Sequence, residues 1–168
     1  NVSNNSLLDQ LHCYQNYLTS LDLNNNNNLI EVDCQENYLG YLNINNCSSL
    51  ISLNFSDNVL DSINLTTNTN LRDLYFYNNN LDSLNINYNT LIEIIHCQEN
   101  SLTKIDASNN TLLTELQCYS NNITELHLTN CSFLERLECS ENQIDSLDIA
   151  NNLYLKYLIC GENNLASL

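Results

Sequence analysis

The segment Leu113–Phe133 reads LTELQCYSNNITELHLTNCSF, and the segment that follows it, Leu134–Tyr154, reads LERLECSENQIDSLDIANNLY. Laid over one another, the two agree in apolar character at positions 1, 4, 6, 11, 14 and 16, and in Asn at position 9. The same line runs outward in both directions every 21 residues, without insertion or deletion. Position 1 falls at Leu8, Leu29, Leu50, Leu71, Ile92, Leu113, Leu134 and Leu155, and position 9 is Asn in all eight lines, from Asn16 to Asn163. A strict period of this kind belongs to units that stack on their neighbours rather than fold around one central core.

Within one unit the apolar positions 4 and 6 alternate with mostly polar positions 3, 5 and 7, which is the two-residue period of a strand with one buried face. Position 1 leads the chain in from the preceding turn, and position 11 returns it to the interior. An Asn at position 9 has a side-chain amide that can satisfy backbone groups in the turn, stacking as a ladder from unit to unit. Runs such as Asn24 to Asn28 fall in register with the repeat and are read as ordered turns rather than a disordered tract.

The first eleven positions, L-x-x-L-x-C-x-x-N-x-L, resemble the leucine-rich repeat segment, and the resemblance covers the whole chain. Positions 11 to 19 restate the pattern as L-x-x-L-x-L-x-x-N, seen at Leu18, Leu21, Leu23 and Asn26 and again at Leu81, Leu84, Ile86 and Asn89. This nested form is similar to the short 21-residue leucine-rich repeats of bacterial surface and secreted proteins. The resemblance implies that about ten residues hold a turn, an extended segment and another turn, with no room for a helix. The expected fold is a mostly β repeat solenoid. It is a right-handed leucine-rich repeat array with a parallel main sheet on one side, short strands or turns opposite, and little or no α-helix. At ~4.8 Å per strand, eight units make a rod or shallow arc of roughly 38 Å.

Residues 1–168 are read as a single leucine-rich repeat domain, with seven complete repeats from Leu8 and partial repeats at both ends. Val2 and Asn5 already occupy positions 16 and 19 of an earlier unit, so the chain is expected to be a fragment of a longer protein. Pro is absent and Gly occurs only at Gly40 and Gly161, so no linker is visible. Four Lys and Arg against twenty Asp and Glu, a net charge of −16, disfavour nucleic acid and anionic membrane surfaces as partners. No run of 18 apolar residues exists, which argues against membrane insertion.

Eight cysteines suggest a disulfide framework by count alone. Their positions argue otherwise. Cys13, Cys34, Cys97, Cys118, Cys139 and Cys160 all fill position 6, where Phe55 and Phe76 stand in the remaining units. A column shared by Cys and Phe is an interior column, because the role it fills is apolar bulk. Cys47 and Cys131 replace Asn at position 19 and lie four repeats apart, roughly 19 Å, beyond disulfide reach. His12 and His96 precede Cys13 and Cys97, but neighbours in a strand point to opposite faces and cannot share a metal. Buried free thiols are expected, ahead of adjacent-rung disulfides and of a metal site. Adjacent acidic residues at position 8 do not form a compact calcium loop.

The exposed columns of the main sheet are positions 3, 5, 7 and 8, where ligands meet proteins of the resembled family. Ten of the twenty acidic residues fall there, and Arg136 is the only Lys or Arg among them. Arg136 is expected to relieve repulsion between Glu115 and Glu138. Tyr75, Tyr77, His96, Gln98 and Tyr119 come from three successive rungs and are expected to form one amphipathic binding patch, with Tyr14, Glu99 and Glu115 completing the candidate site. The flanking acidic columns should steer a basic partner towards it. No phosphate loop, Ser nucleophile motif or H-E-x-x-H is present, so no catalytic residue, metal ligand or cofactor is assigned.

The reading that follows is a non-catalytic module binding a basic or neutral protein or glycan, in a secreted or cell-surface bacterial protein. Two competitors are a structural spacer and, through the Asn and Thr rows at positions 17 and 18, an ice- or crystal-binding surface. Unpaired strand edges at the two ends would also favour end-to-end self-association of this piece.

Overall fold

The computed structural model describes residues 2–168, which form twelve strands of three residues each and no helix. In chain order these are β1 (Gln10–His12), β2 (Ser20–Asp22), β3 (Glu31–Asp33), β4 (Tyr41–Asn43), β5 (Ser52–Asn54), β6 (Asp73–Tyr75), β7 (Ile94–His96), β8 (Lys104–Asp106), β9 (Glu115–Gln117), β10 (Glu125–His127), β11 (Arg136–Glu138) and β12 (Tyr157–Ile159). The main sheet has eight parallel strands in the order β1-β3-β5-β6-β7-β9-β11-β12. Opposite it, β2 pairs with β4 and β8 pairs with β10, also in parallel. The fold is therefore the β-solenoid that the repeat implies, with a parallel main sheet and a broken second row.

Register follows directly from the period. Every main-sheet pair joins a residue to the one 21 positions on, as in Leu53↔Leu74, Leu74↔Ile95 and Ile95↔Leu116. A slip of one residue would turn position 4 outward on every rung, so burial of one face holds the register. The interior is filled by the columns at positions 1, 4, 6, 11 and 16, exemplified by Leu71, Leu74, Phe76, Leu81 and Ile86, all buried. Phe55 and Phe76 stack within the position-6 column at a centroid distance of 5.5 Å, between buried Cys34 and Cys97. All eight cysteines are free thiols.

Two Asn ladders close the turns. Asn58 shares its Nδ2 between the carbonyls of Cys34, Phe55 and Ser56 at 3.1, 3.0 and 3.0 Å, and its Oδ1 accepts the Leu39 N–H at 2.8 Å. One amide thus ties a turn to itself and to the rung before it. At position 19, Asn89 donates to Leu65 O and Asn68 O at 3.0 and 2.8 Å. Its Oδ1 accepts nothing, as for Asn26, Asn68, Asn110 and Asn152. The two thiols in this column do the donor's work alone: Cys47 Sγ reaches Leu23 O at 3.5 Å, and Cys131 Sγ reaches Ala107 O at 3.3 Å.

Strand geometry ends sooner than the alternating pattern suggests, at position 5. The chain then bends, and position 8 is in the left-handed region on every rung, with φ between 51° and 56° from Gln15 to Glu162. Position 8, taken from the sequence as a column of the sheet face, is instead the corner of a turn. No Gly occupies it, and only Asp57 and Asn78 are residue types that favour positive φ, so composition holds little signal of it.

Candidate functional site

The outer face of the main sheet is built by positions 3 and 5 of each strand, while position 4 points inward. Tyr75 and His96 are cross-strand partners of β6 and β7, and their rings meet edge to face at 5.1 Å. His96 Nε2 lies 3.1 Å from Glu115 Oε1, on the next strand. Gln117 Nε2 donates to the same oxygen at 2.6 Å, and Arg136 Nε stands 3.6 Å from it. Arg136 then donates to Glu138 Oε2 at 2.8 Å. The sheet thereby carries a continuous row, Tyr75–His96–Glu115–Arg136–Glu138, in which aromatic area passes into alternating charge. Arg136 does bridge Glu115 and Glu138.

Each Tyr in this region sits in an acidic field. Burial pushes the Tyr75 phenol up, followed by Asp73 and Glu115. Burial again leads for Tyr77, with Asp57 and Glu36 adding to it. For Tyr119 the carboxylates of Glu99, Glu138 and Glu141 reinforce the same effect. These phenols stay protonated and remain hydrogen-bond donors, since a nearby negative charge disfavours ionisation. Asp73 is also raised, chiefly by desolvation and then by Glu93.

The structure brings some candidate residues together and separates others. Tyr75, His96 and Glu115 are in direct sequence of contact. Tyr77 and Tyr119 are half-buried on either side of Gln98, and Gln98 itself is only 8% exposed. Gln98 therefore supports the patch from beneath instead of presenting an open amide. Glu99 stands exposed at the left-handed corner, close enough to influence Tyr119. Tyr14 is exposed on the first rung, three rungs from Tyr77, and lies outside the patch.

Sequence reading passed over three features. His12 approaches Glu31 at 3.3 Å, a second histidine–carboxylate contact on the same face. Tyr17 and Tyr38 stack in the open at 6.2 Å, in the turn column at position 10. Phe133 and Tyr154 pack at 6.0 Å beside a shallow depression of about 380 Å³, also lined by Glu93, Leu112, Thr114 and Glu135. The signal for both ring pairs was present, because each occupies one column on adjacent rungs. Among the described residues no group of three or more His, Cys, Asp or Glu is disposed to hold a metal ion. What the arrangement can do chemically is recognise: donate phenolic hydrogen bonds, stack, and attract positive charge.

No protein-family model and no curated protein matches the chain. Solved structures do. The functional domain of InlJ from Listeria monocytogenes, described as including a cysteine ladder, is 33% identical and superposes with a TM-score of 0.97 over 99% of this chain and 37% of that one. A leucine-rich repeat protein of Leptospira interrogans is 22% identical, with a TM-score of 0.91 over 98% of this chain and 46% of its own. YopM, a leucine-rich effector protein from Yersinia pestis, is 22% identical, with a TM-score of 0.81 over 96% and 51%. The chain thus spans between about a third and a half of these relatives. Cys97, Cys118, Cys139 and Cys160 fill one position on four consecutive rungs here. Repeat, fold and similarity converge: the chain belongs to the leucine-rich repeat proteins, in their short 21-residue form.

Proposed function

We propose that this domain is a non-catalytic binding module of a bacterial secreted or cell-surface protein, holding a protein partner against the outer face of its main sheet. The observation that supports this reading is the Tyr75–His96–Glu115 row, an aromatic pair in edge-to-face contact that ends on a carboxylate. Aromatic side chains supply contact area at small conformational cost, and the surrounding carboxylates favour a partner bearing Lys or Arg. Likeness to the InlJ functional domain is consistent with a bacterial surface setting.

The test is selection of random displayed peptides on the folded chain, followed by measurement of each selected sequence on the Tyr75→Ala/His96→Ala variant. Basic sequences should be enriched. Their affinity should fall about tenfold or more on the variant, and should weaken with added salt. Selected ligands that bind wild type and variant equally would remove the site. Selection that enriches nothing would favour a spacer role.

A further inference from the structure

The edge of the solenoid that leads into the main sheet carries large apolar side chains that the core does not use. Position 21 is polar at Asn28, Ser49 and Asn70 and apolar on the next four rungs, at Leu91, Leu112, Phe133 and Tyr154. Polar residues serve the fold at this position, so folding does not require the change. Phe133 and Tyr154 are 50% and 57% exposed, and their rings hold one another at 6.0 Å. Together with Leu112 they form the apolar wall of the depression of about 380 Å³.

The facing wall is built by position 2. Thr114 N–H donates to Glu93 O and Glu135 N–H to Thr114 O, each at 2.8 Å, which fixes Glu93, Thr114 and Glu135 as a row. Thr114 Oγ1 also donates to Glu93 O at 2.9 Å, so only its lone pairs are left to offer. Arg72 pairs with Glu93 through Oε1, and Lys156 pairs with Glu135 through Oε2 at 2.7 Å. Each carboxylate thus keeps one oxygen clear of its cation. This wall accepts hydrogen bonds, and its two carboxylates are matched by two cations.

These properties select the ligand. The volume lies at the lower end of the ~300–1,000 Å³ usual for small-ligand sites. One side of the ligand must be apolar, and its edge must carry several donors. An ammonium or guanidinium group would bring donors, but also a positive charge to a set already balanced. A pyranose sugar brings neutral hydroxyls around its edge and C–H bonds on its face. Those hydrogens are weakly positive and suit the negative face of an aromatic ring. Because the two rings already pack on each other, little side-chain freedom is lost when a sugar docks.

We propose that the depression beside Phe133 and Tyr154 is a binding site for a neutral sugar in pyranose form. The C–H face of the sugar lies against Leu112, Phe133 and Tyr154, and its hydroxyls donate to Glu93, Thr114 and Glu135. This site is separate from the outer face of the main sheet and does not depend on that face binding a protein.

The experiment is saturation-transfer NMR on the folded chain with the methyl pyranosides of glucose, galactose, mannose, fucose and N-acetylglucosamine, and with N-acetylarginine amide as a cationic comparator. At least one sugar should bind with millimolar affinity, with saturation concentrated on the C–H protons of one ring face and no weakening by added salt. Phe133→Ala/Tyr154→Ala should abolish the signal, and Glu135→Gln should weaken binding several-fold. Both variants should keep the melting temperature, because these side chains are exposed. Tyr17→Ala/Tyr38→Ala, at the other exposed ring pair, should leave sugar binding unchanged. No binding of any of the sugars would overturn the proposal, as would binding that survives the loss of Phe133 and Tyr154. Tighter binding of N-acetylarginine amide than of every sugar would also overturn it, by making the depression a cation site.

Discussion

At the scale of single residues, the two Asn ladders differ in how completely they are satisfied. A position-9 Asn uses both ends of its amide: Asn58 donates to carbonyls of two rungs and accepts the Leu39 N–H. A position-19 Asn uses only its NH2, leaving a buried oxygen unpaired at Asn26, Asn68, Asn89, Asn110 and Asn152. This explains why Cys replaces Asn at Cys47 and Cys131 and nowhere in the position-9 column. A thiol supplies a donor and carries no acceptor needing a partner. The expected outcome for Asn89→Cys is a loss of about 1 kcal/mol or less. For Asn89→Asp it is about 3 kcal/mol or more, because a carboxylate would face the Leu65 and Asn68 carbonyls with no donor to offer. Urea unfolding of the two variants measures the gap, and an Asp variant as stable as the Cys variant would refute the account. Position 8 is a second residue-scale lesson. Glu stands there four times in left-handed backbone, a conformation that Gly or Asn adopts with less strain.

At the scale of one element, the position-6 column runs the length of the solenoid as a stripe of thiols and two stacked phenylalanines. Burial is the main cause that pushes these thiols up: Cys139 to about 12, Cys34 and Cys97 further still, and Cys118 well above the ordinary thiol range. In the position-19 column, Cys47 and Cys131 rise to about 11. Thiols held neutral and out of solvent are poor nucleophiles. At pH 8 a thiol-specific reagent should therefore modify half-buried Cys13 and Cys160 quickly and the other six only in urea. Rapid native-state reaction of more than those two would contradict the packing. The buried thiols of both columns limit alkaline stability. Above about pH 9 the unfolded chain releases thiol protons that the folded chain retains until about pH 11 to 12. The unfolded state then binds fewer protons, so stability is full below pH 9 and declines as pH rises through that window. Melting temperatures measured from pH 7 to 11 should show this fall.

At the scale of the whole molecule, each rung touches only the rungs before and after it, so stability is close to a sum over units and their interfaces. Excision of residues 29–49, one full period, joins Asn28 to Leu50 in register. The shortened chain should fold with a seven-stranded main sheet and a lower melting temperature. Excision of residues 29–38 instead removes half a turn, places a position-11 residue where position 1 is required, and should abolish cooperative unfolding. Calorimetry of both deletions decides the point. This one-dimensional construction is why so much was legible beforehand. A separation of 21 residues in sequence is one rung in space, so strand register, the core columns, the interior cysteines and both Asn ladders could be read by counting, as Leu53, Leu74 and Ile95 illustrate. The candidate face was legible only as a set of columns. The edge-to-face contact of Tyr75 with His96, the convergence of His96, Gln117 and Arg136 on Glu115, and the burial of Gln98 depend on how side chains from different rungs lean on one another. The left-handed corner at position 8 likewise left little trace in residue type, since only Asn78 and Asp57 of its eight residues favour that backbone. Periodicity determines which residues are neighbours, whereas rotamers and backbone turns, set by packing across rungs, decide which of those neighbours touch.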